Sequence, residues 1–64
     1  MNKDKNGFEI KMGDTVLVPD PTNDDLWLHS FAGQVNSFRG NLVCVVDGDG
    51  DCWDVEPERL VTQE

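Results

Sequence analysis

With 64 residues the chain supports one domain, and a domain this small buries only about 60% of the surface its unfolded form exposes, leaving little room for an enclosed catalytic pocket. Thirteen Asp and Glu against five Lys and Arg give a formal net charge of -8 and a pI of about 4.2. Such a surface repels nucleic-acid phosphates and anionic membranes, favours basic partners, and keeps a small protein soluble and monomeric.

Residues 1–6 are polar and are expected to be a disordered tail, with residues 7–64 forming a single domain. No stretch approaches the roughly 20 apolar residues of a membrane span. The start at Met1-Asn2-Lys3-Asp4-Lys5-Asn6 lacks the hydrophobic segment of a signal peptide, so a cytoplasmic protein is expected. Phe8-Glu9-Ile10 alternates and suits a short strand, and Lys11-Met12-Gly13-Asp14 reads as a turn. Thr15-Val16-Leu17-Val18 is β-branched and apolar, and its ladder ends at Pro19, which has no N–H to donate.

From Pro19 to about Ser30 the chain carries Pro19, Pro21, Asn23, Asp24 and Asp25, the composition of a long loop. Leu26-Trp27-Leu28 within it is apolar enough that one face must fold back onto the core. Alternation resumes over Phe31 to Ser37, turns at Arg39-Gly40-Asn41, and continues into Leu42-Val43-Cys44-Val45-Val46. Asp47-Gly48-Asp49-Gly50-Asp51 then separates that run from Cys52-Trp53-Asp54-Val55-Glu56, the pattern of a β-hairpin. Pro57 holds Glu56 extended and fits the first position of a single 3₁₀ turn, after which Leu60-Val61 closes as a last strand. No helical period persists for three turns, so an all-β fold is expected.

The hairpin register follows from its faces. Pairing Asp47 with Asp51 sets Val45 opposite Trp53 and Val43 opposite Val55, with Gly50 in the left-handed position that ends a three-residue loop. Cys44, Val46, Cys52, Asp54 and Glu56 then face outward, and the two cysteines are diagonal neighbours. Reduced thiols are expected on that geometry and on compartment. Two cysteines and the distant His29 match no metal-ligand spacing.

The order strand, long loop, strand, turn, strand, tight hairpin, strand, 3₁₀ turn, strand resembles the SH3-like barrel, specifically its small KOW and Tudor-like variants. The likeness is carried by Gly13-Asp14-Thr15-Val16-Leu17-Val18, Phe31-Ala32-Gly33-Gln34-Val35, the Asp/Gly hairpin, and Val55-Glu56-Pro57-Glu58-Arg59-Leu60. The chain is also similar to small uncharacterised bacterial or phage-encoded proteins of that fold. What the resemblance implies is a closed five-stranded barrel, its interior filled by Val16, Val18, Val35, Val45 and Val55, and a non-enzymatic binding role.

Four features carry candidate chemistry, each weighed against a plainer role. Asp47, Asp49, Asp51 and Glu58 fit the spacing of an EF-hand calcium loop, but Cys52 stands where that loop needs glycine and no helices flank it; a hairpin turn is the better reading. Trp27 and Trp53, with Phe38, form a candidate aromatic groove of the kind that in SH3-like domains takes proline-rich or methylated-lysine ligands. Asp24, Asp25 and Asp54 would attract a basic peptide to it. Against this, the chain has no tyrosine, Trp53 suits central packing, and Trp27 suits a lid as well as a platform.

His29 has no sequence context of a nucleophile–base pair and suits a hydrogen-bonded structural role. The acid run from Asp47 to Glu58 argues against nucleic acid as a ligand, departing from the basic surfaces of KOW domains. It equally suits a solvated, charge-protected strand edge. The resulting expectation is a protein- or peptide-binding module without catalytic residues, metal or cofactor, its binding residues Trp27, His29, Phe38, Trp53, Asp24, Asp25 and Asp54. The alternative is an acidic DNA mimic that inhibits a nucleic-acid-binding protein.

Overall fold

A computed structural model describes residues 2–63. Proline, glycine and aspartate punctuate the chain at short intervals and leave only extended segments between them. These become β1 (Thr15–Val18), β2 (Phe31–Arg39), β3 (Leu42–Val46), β4 (Cys52–Val55) and β5 (Val61–Thr62), with one 3₁₀ turn, η1 (Pro57–Arg59), before β5. The fold is all-β. All pairings are antiparallel, and the strands form one sheet in the order β4-β3-β2-β1-β5.

The nine-residue β2 organises the sheet. Its first half pairs with β1 and its second half with β3, with a register shift between Val35 and Ser37 where the two halves meet. An extra residue of this kind bends and twists a strand, which lets the two halves of the sheet turn their apolar faces toward each other. Gly33 lies just before that bend, where a Cβ would sit 2.6 Å from the Val46 carbonyl oxygen and 2.7 Å from Val45 Cγ1. Only glycine allows that approach.

Between the faces lie Val16, Val18, Val43, Val45, Val55 and Leu60, all fully buried, together with Ile10, Trp27 and Val35. Val16, Val18, Val35, Val45 and Val55 are thus all buried in the core, as expected. Burying each such side chain contributes about 1.5–3 kcal/mol before entropy is counted. The ladder itself does not close into a cylinder: β4 and β5 are the two ends of the sheet. η1 carries the chain from one edge to the other, and the two-residue β5 pairs only with β1.

The central hairpin has the expected register, with Val45 opposite Trp53 and Val43 opposite Val55. Asp47 N–H donates to the Asp51 carbonyl at 2.9 Å, and Gly50 adopts φ 86°. Pro57 opens η1 as its first residue, while the last strand begins at Val61, one residue later than expected, because Leu60 caps η1 and turns into the core.

The cysteines depart from expectation. Cys44 and Cys52 are joined as a disulfide with Cα atoms 5.9 Å apart, inside the usual range of about 4.4–6.8 Å. They occupy the diagonal foreseen, and strand twist brings that diagonal together, but of the two only Cys52 is exposed; Cys44, expected to face outward, is buried.

The N-terminal segment also departs from it. Met1 lies outside the described residues, as does Glu64, but Asn2 to Asn6 are tied to the sheet and are no free tail. Asp4 is buried, and its carboxylate accepts three backbone N–H groups: Asn6 at 2.9 Å and Phe8 at 2.8 Å on Oδ1, and Thr62 at 2.9 Å on Oδ2. Lys5 N–H donates to the Leu60 carbonyl at 2.8 Å and Ile10 N–H to the Asn2 carbonyl at 2.8 Å. Phe8-Glu9-Ile10 contributes a single bridge, Glu9 to Lys3, in place of a strand.

Desolvation by itself raises the Asp4 pKa, but the hydrogen bonds from Thr62, Phe8 and Asn6 outweigh it and hold the group at about 2, below its usual 3.8. A carboxyl depressed on folding stabilises the native state above its unfolded pKa and loses that contribution as pH falls through the folded value. Thermal unfolding should therefore shift to lower temperature as pH drops from about 4 toward 2. Asp4→Asn should lower the melting temperature at neutral pH and flatten the slope in that window; an unchanged slope would contradict the role assigned to Asp4.

Candidate functional site

The loop between β1 and β2 has few backbone bonds of its own and is held by side chains. Asp20 Oδ1 accepts the Ser30 N–H at 3.1 Å and draws the two ends of the loop together. Asp25 Oδ2 accepts both the N–H, at 2.8 Å, and the hydroxyl, at 3.1 Å, of Thr22. Trp27 folds back into the core, 5% exposed, and its indole N–H donates to the Pro19 carbonyl at 2.8 Å. The flanking Leu26 and Leu28 point out, 80% and 89% exposed. One face of the apolar triplet returns to the core, as required.

Arg59 of η1 fastens this loop. Its guanidinium donates from Nη1 to Asp25 Oδ1 at 3.1 Å and from Nη2 to Asp25 Oδ2 at 2.8 Å. Nη1 also reaches Glu56 Oε1 at 3.0 Å, and the guanidinium carbon lies 5.4 Å from the centre of the Trp27 ring. A planar fork of donors over an aromatic face is geometry that arginine supplies and lysine does not. Hydrogen bonds from Arg59 hold the Asp25 carboxyl well below the usual range, and those to Asp25 and then Glu56 raise the guanidinium pKa further. Glu56 is lowered as well, first by its own backbone N–H and then by Arg59.

The hairpin tip is fixed by Asp47. Its Oδ1 accepts the N–H groups of Asp49 at 2.9 Å and Asp51 at 3.0 Å, an Asx arrangement that braces the turn. Its Oδ2 accepts the Trp53 indole N–H at 2.9 Å, the leading cause of a lowered Asp47 pKa. The carboxylate that would begin a calcium loop is thus committed to its own hairpin.

Between the long loop and this tip lies a cleft of about 500 Å³. The loop side presents Leu26, Trp27, Leu28 and His29, with Phe31 from the start of β2; the hairpin side presents Asp47 to Asp51 without Gly50, and Trp53. A smaller groove of about 260 Å³ continues past Leu26, Trp27 and Trp53 to Asp24, Asp25, Cys52 and Asp54. The cleft has apolar surfaces with acidic rims, a combination that suits a side chain with an aliphatic stem and a cationic head.

The sequence-predicted residues therefore divide. Trp27, His29 and Trp53 meet at the cleft, and Asp24, Asp25 and Asp54 meet at the groove beside it. Trp27 is mostly a core residue with little face to offer a ligand, and Trp53, half-buried, both packs on the core and borders the cleft. Asp25 is neutralised by Arg59, so its charge is not free for a partner. Asp54 has Arg39 at 4.0 Å, both side chains substantially exposed, a pairing worth little in water. His29 is exposed, with Nδ1 3.0 Å from the Ser30 carbonyl oxygen, a bond that places the ring proton on Nδ1.

Phe38 does not join them. It packs at the far end of β2, opposite Val43, seven positions along the strand from the cleft residue Phe31. Sequence reasoning missed Phe31, Leu26 and Leu28, although the apolar triplet and the first residue of β2 were the available signals. Among the described residues no helix is long and apolar enough to cross a membrane. Compared with known proteins, the chain matches no family model, no curated protein and no solved structure.

Asp47→Asn retains an oxygen for the tip and removes the acceptor of the Trp53 indole. Its Trp53 indole proton should exchange with solvent markedly faster in ¹H–¹⁵N spectra, while that of Trp27, bonded to a backbone carbonyl, should not change. Equal protection of Trp53 in both proteins would contradict the role of Asp47.

Proposed function

We propose that the chain is a small SH3-like interaction module that binds a basic peptide segment of another protein in the cleft between its first loop and its β3–β4 hairpin. The observation that carries this reading is the pairing of apolar Leu28, Phe31 and Trp53 with the exposed carboxylates Asp49 and Asp51 around one opening. The strand order β5-β1-β2-β3-β4, the long first loop and the single 3₁₀ turn support the SH3-like assignment. An apolar surface supplies affinity for a lysine or arginine stem, and the carboxylates speed encounter and reject acidic sequences.

The DNA-mimic reading rests on the acid run from Asp47 to Glu58, in which Asp47 braces its own hairpin and Glu56 pairs with Arg59. A mimic has no use for the apolar Leu28, Phe31 and Trp53 beside that run, and they favour the peptide reading.

The test is titration of ¹⁵N-labelled protein with a lysine-rich peptide and a glutamate-rich control. Shifts should concentrate at Leu28, Phe31, Asp49, Asp51 and Trp53 with the basic peptide alone. Joint Asp49→Asn and Asp51→Asn substitution should weaken binding about 3- to 10-fold at about 0.15 M salt and much less at about 1 M, where charges are screened. Leu28→Ala should weaken it at both. Shifts spread over the whole acidic surface that vanish with salt would contradict the cleft.

A further inference from the structure

Across β3 and β4, Cys44, Cys52 and Asp54 bring two sulfurs and a carboxylate oxygen within 4.8 Å of one another. Cysteine spacing along the chain gives no hint of this set, because the third donor comes from register: Asp54 stands directly opposite Cys44, and Cys52 stands on its diagonal. We propose that in the reduced chain these three side chains form a binding site for one borderline-soft divalent cation of the zinc class.

The donor chemistry fits. Two thiolates and one carboxylate are a ligand set such cations accept, with a fourth tetrahedral position left to water. Two zinc–sulfur bonds of about 2.3 Å hold their sulfurs about 3.8 Å apart at a tetrahedral angle. Side-chain rotation reaches that spacing with the Cα atoms fixed at 5.9 Å. Cys44 is buried and supplies a fixed donor, whereas Cys52 and Asp54 are exposed and leave a path of entry. The three ligand charges exceed that of the cation by one, an excess that the exposed position of Cys52 and Asp54 leaves to solvent.

The disulfide and the metal compete for the same sulfurs, so the site exists in one redox state. A thiol or phosphine reductant supplies two electrons which, with two protons, convert the S–S bond to two thiols. Metal binding then displaces those two protons as the thiolates coordinate. In the opposite sense an exogenous disulfide accepts the two electrons and leaves as two thiolates, the Cys44–Cys52 bond re-forms, and the cation is released.

The experiment titrates phosphine-reduced protein with Zn²⁺ against a chromophoric chelator, and with Cd²⁺ while following ultraviolet thiolate-to-metal absorption. Expected are one cation per chain, two thiolates per Cd²⁺ and an unchanged monomer mass. Cys52→Ser should abolish the absorption, and Asp54→Asn should weaken binding about tenfold or more. Both substituted residues are exposed, so folding, checked by circular dichroism, is expected to survive. The oxidised chain should show no thiolate band. The proposal is overturned by a reduced chain that does not bind, by Asp54→Asn binding as well as wild type, by two chains sharing one cation, or by equal binding to the oxidised chain, which would put the ion at the hairpin tip.

Discussion

The structure depends most on a single guanidinium. Arg59 holds both oxygens of Asp25, reaches Glu56, and lies over Trp27. Those contacts join the long loop to η1, two parts of the chain that share no strand pairing. The loop has no regular structure to order it, and ordering a residue costs about 1–2 kcal/mol in backbone entropy. Trp27 offsets part of that cost by burial, and Arg59 fixes which way the loop lies. Without this anchor Leu26, Leu28 and His29 would have no defined position opposite the hairpin, and the cleft would lose one wall.

A second tie serves the ends of the chain. Asp4 reaches Thr62 across a sequence separation of 58 and covers the outer edge of β5, leaving β4 as the freer edge of the sheet. The acidic composition has a structural cause that charge counting hides. Asp4, Asp14, Asp20, Asp25 and Asp47 each accept at least one backbone N–H. Aspartate is thus the turn-former of this chain. The carboxylates left free, such as Asp49 and Asp51, are those that give the surface its directed charge.

What could be read from the sequence was local. Proline and glycine positions, the alternation of β2, the three-residue hairpin with Gly50 at positive φ, and the entry of η1 at Pro57 are set by neighbours in the chain, and each is found in the structure. The bonds that were not legible join distant residues: Asp4 to Thr62, and Arg59 to Asp25 over 34 positions. The polar N-terminal segment was expected to be a free tail, because nothing local says that Asp4 docks on β5. The cleft was half legible, since Trp27, His29 and Trp53 meet there. Phe38 was misplaced: β2 leaves the long loop at Phe31, so Phe38 lies at the opposite end of the strand, beside the Arg39-Gly40-Asn41 turn. The cysteine diagonal was read correctly and its outcome was not, because strand twist, rather than register, sets the final distance.

The most direct measurement is ¹⁵N backbone relaxation across residues 19–30. A loop anchored by Arg59 and Trp27 should show order parameters at Asp25 to Trp27 close to those of β2 and β3, about 0.85, with departures only at the exposed flanks. Values below about 0.6 through that stretch, beside rigid strands, would mean that the loop has no fixed place and that the cleft is not a feature of the folded protein.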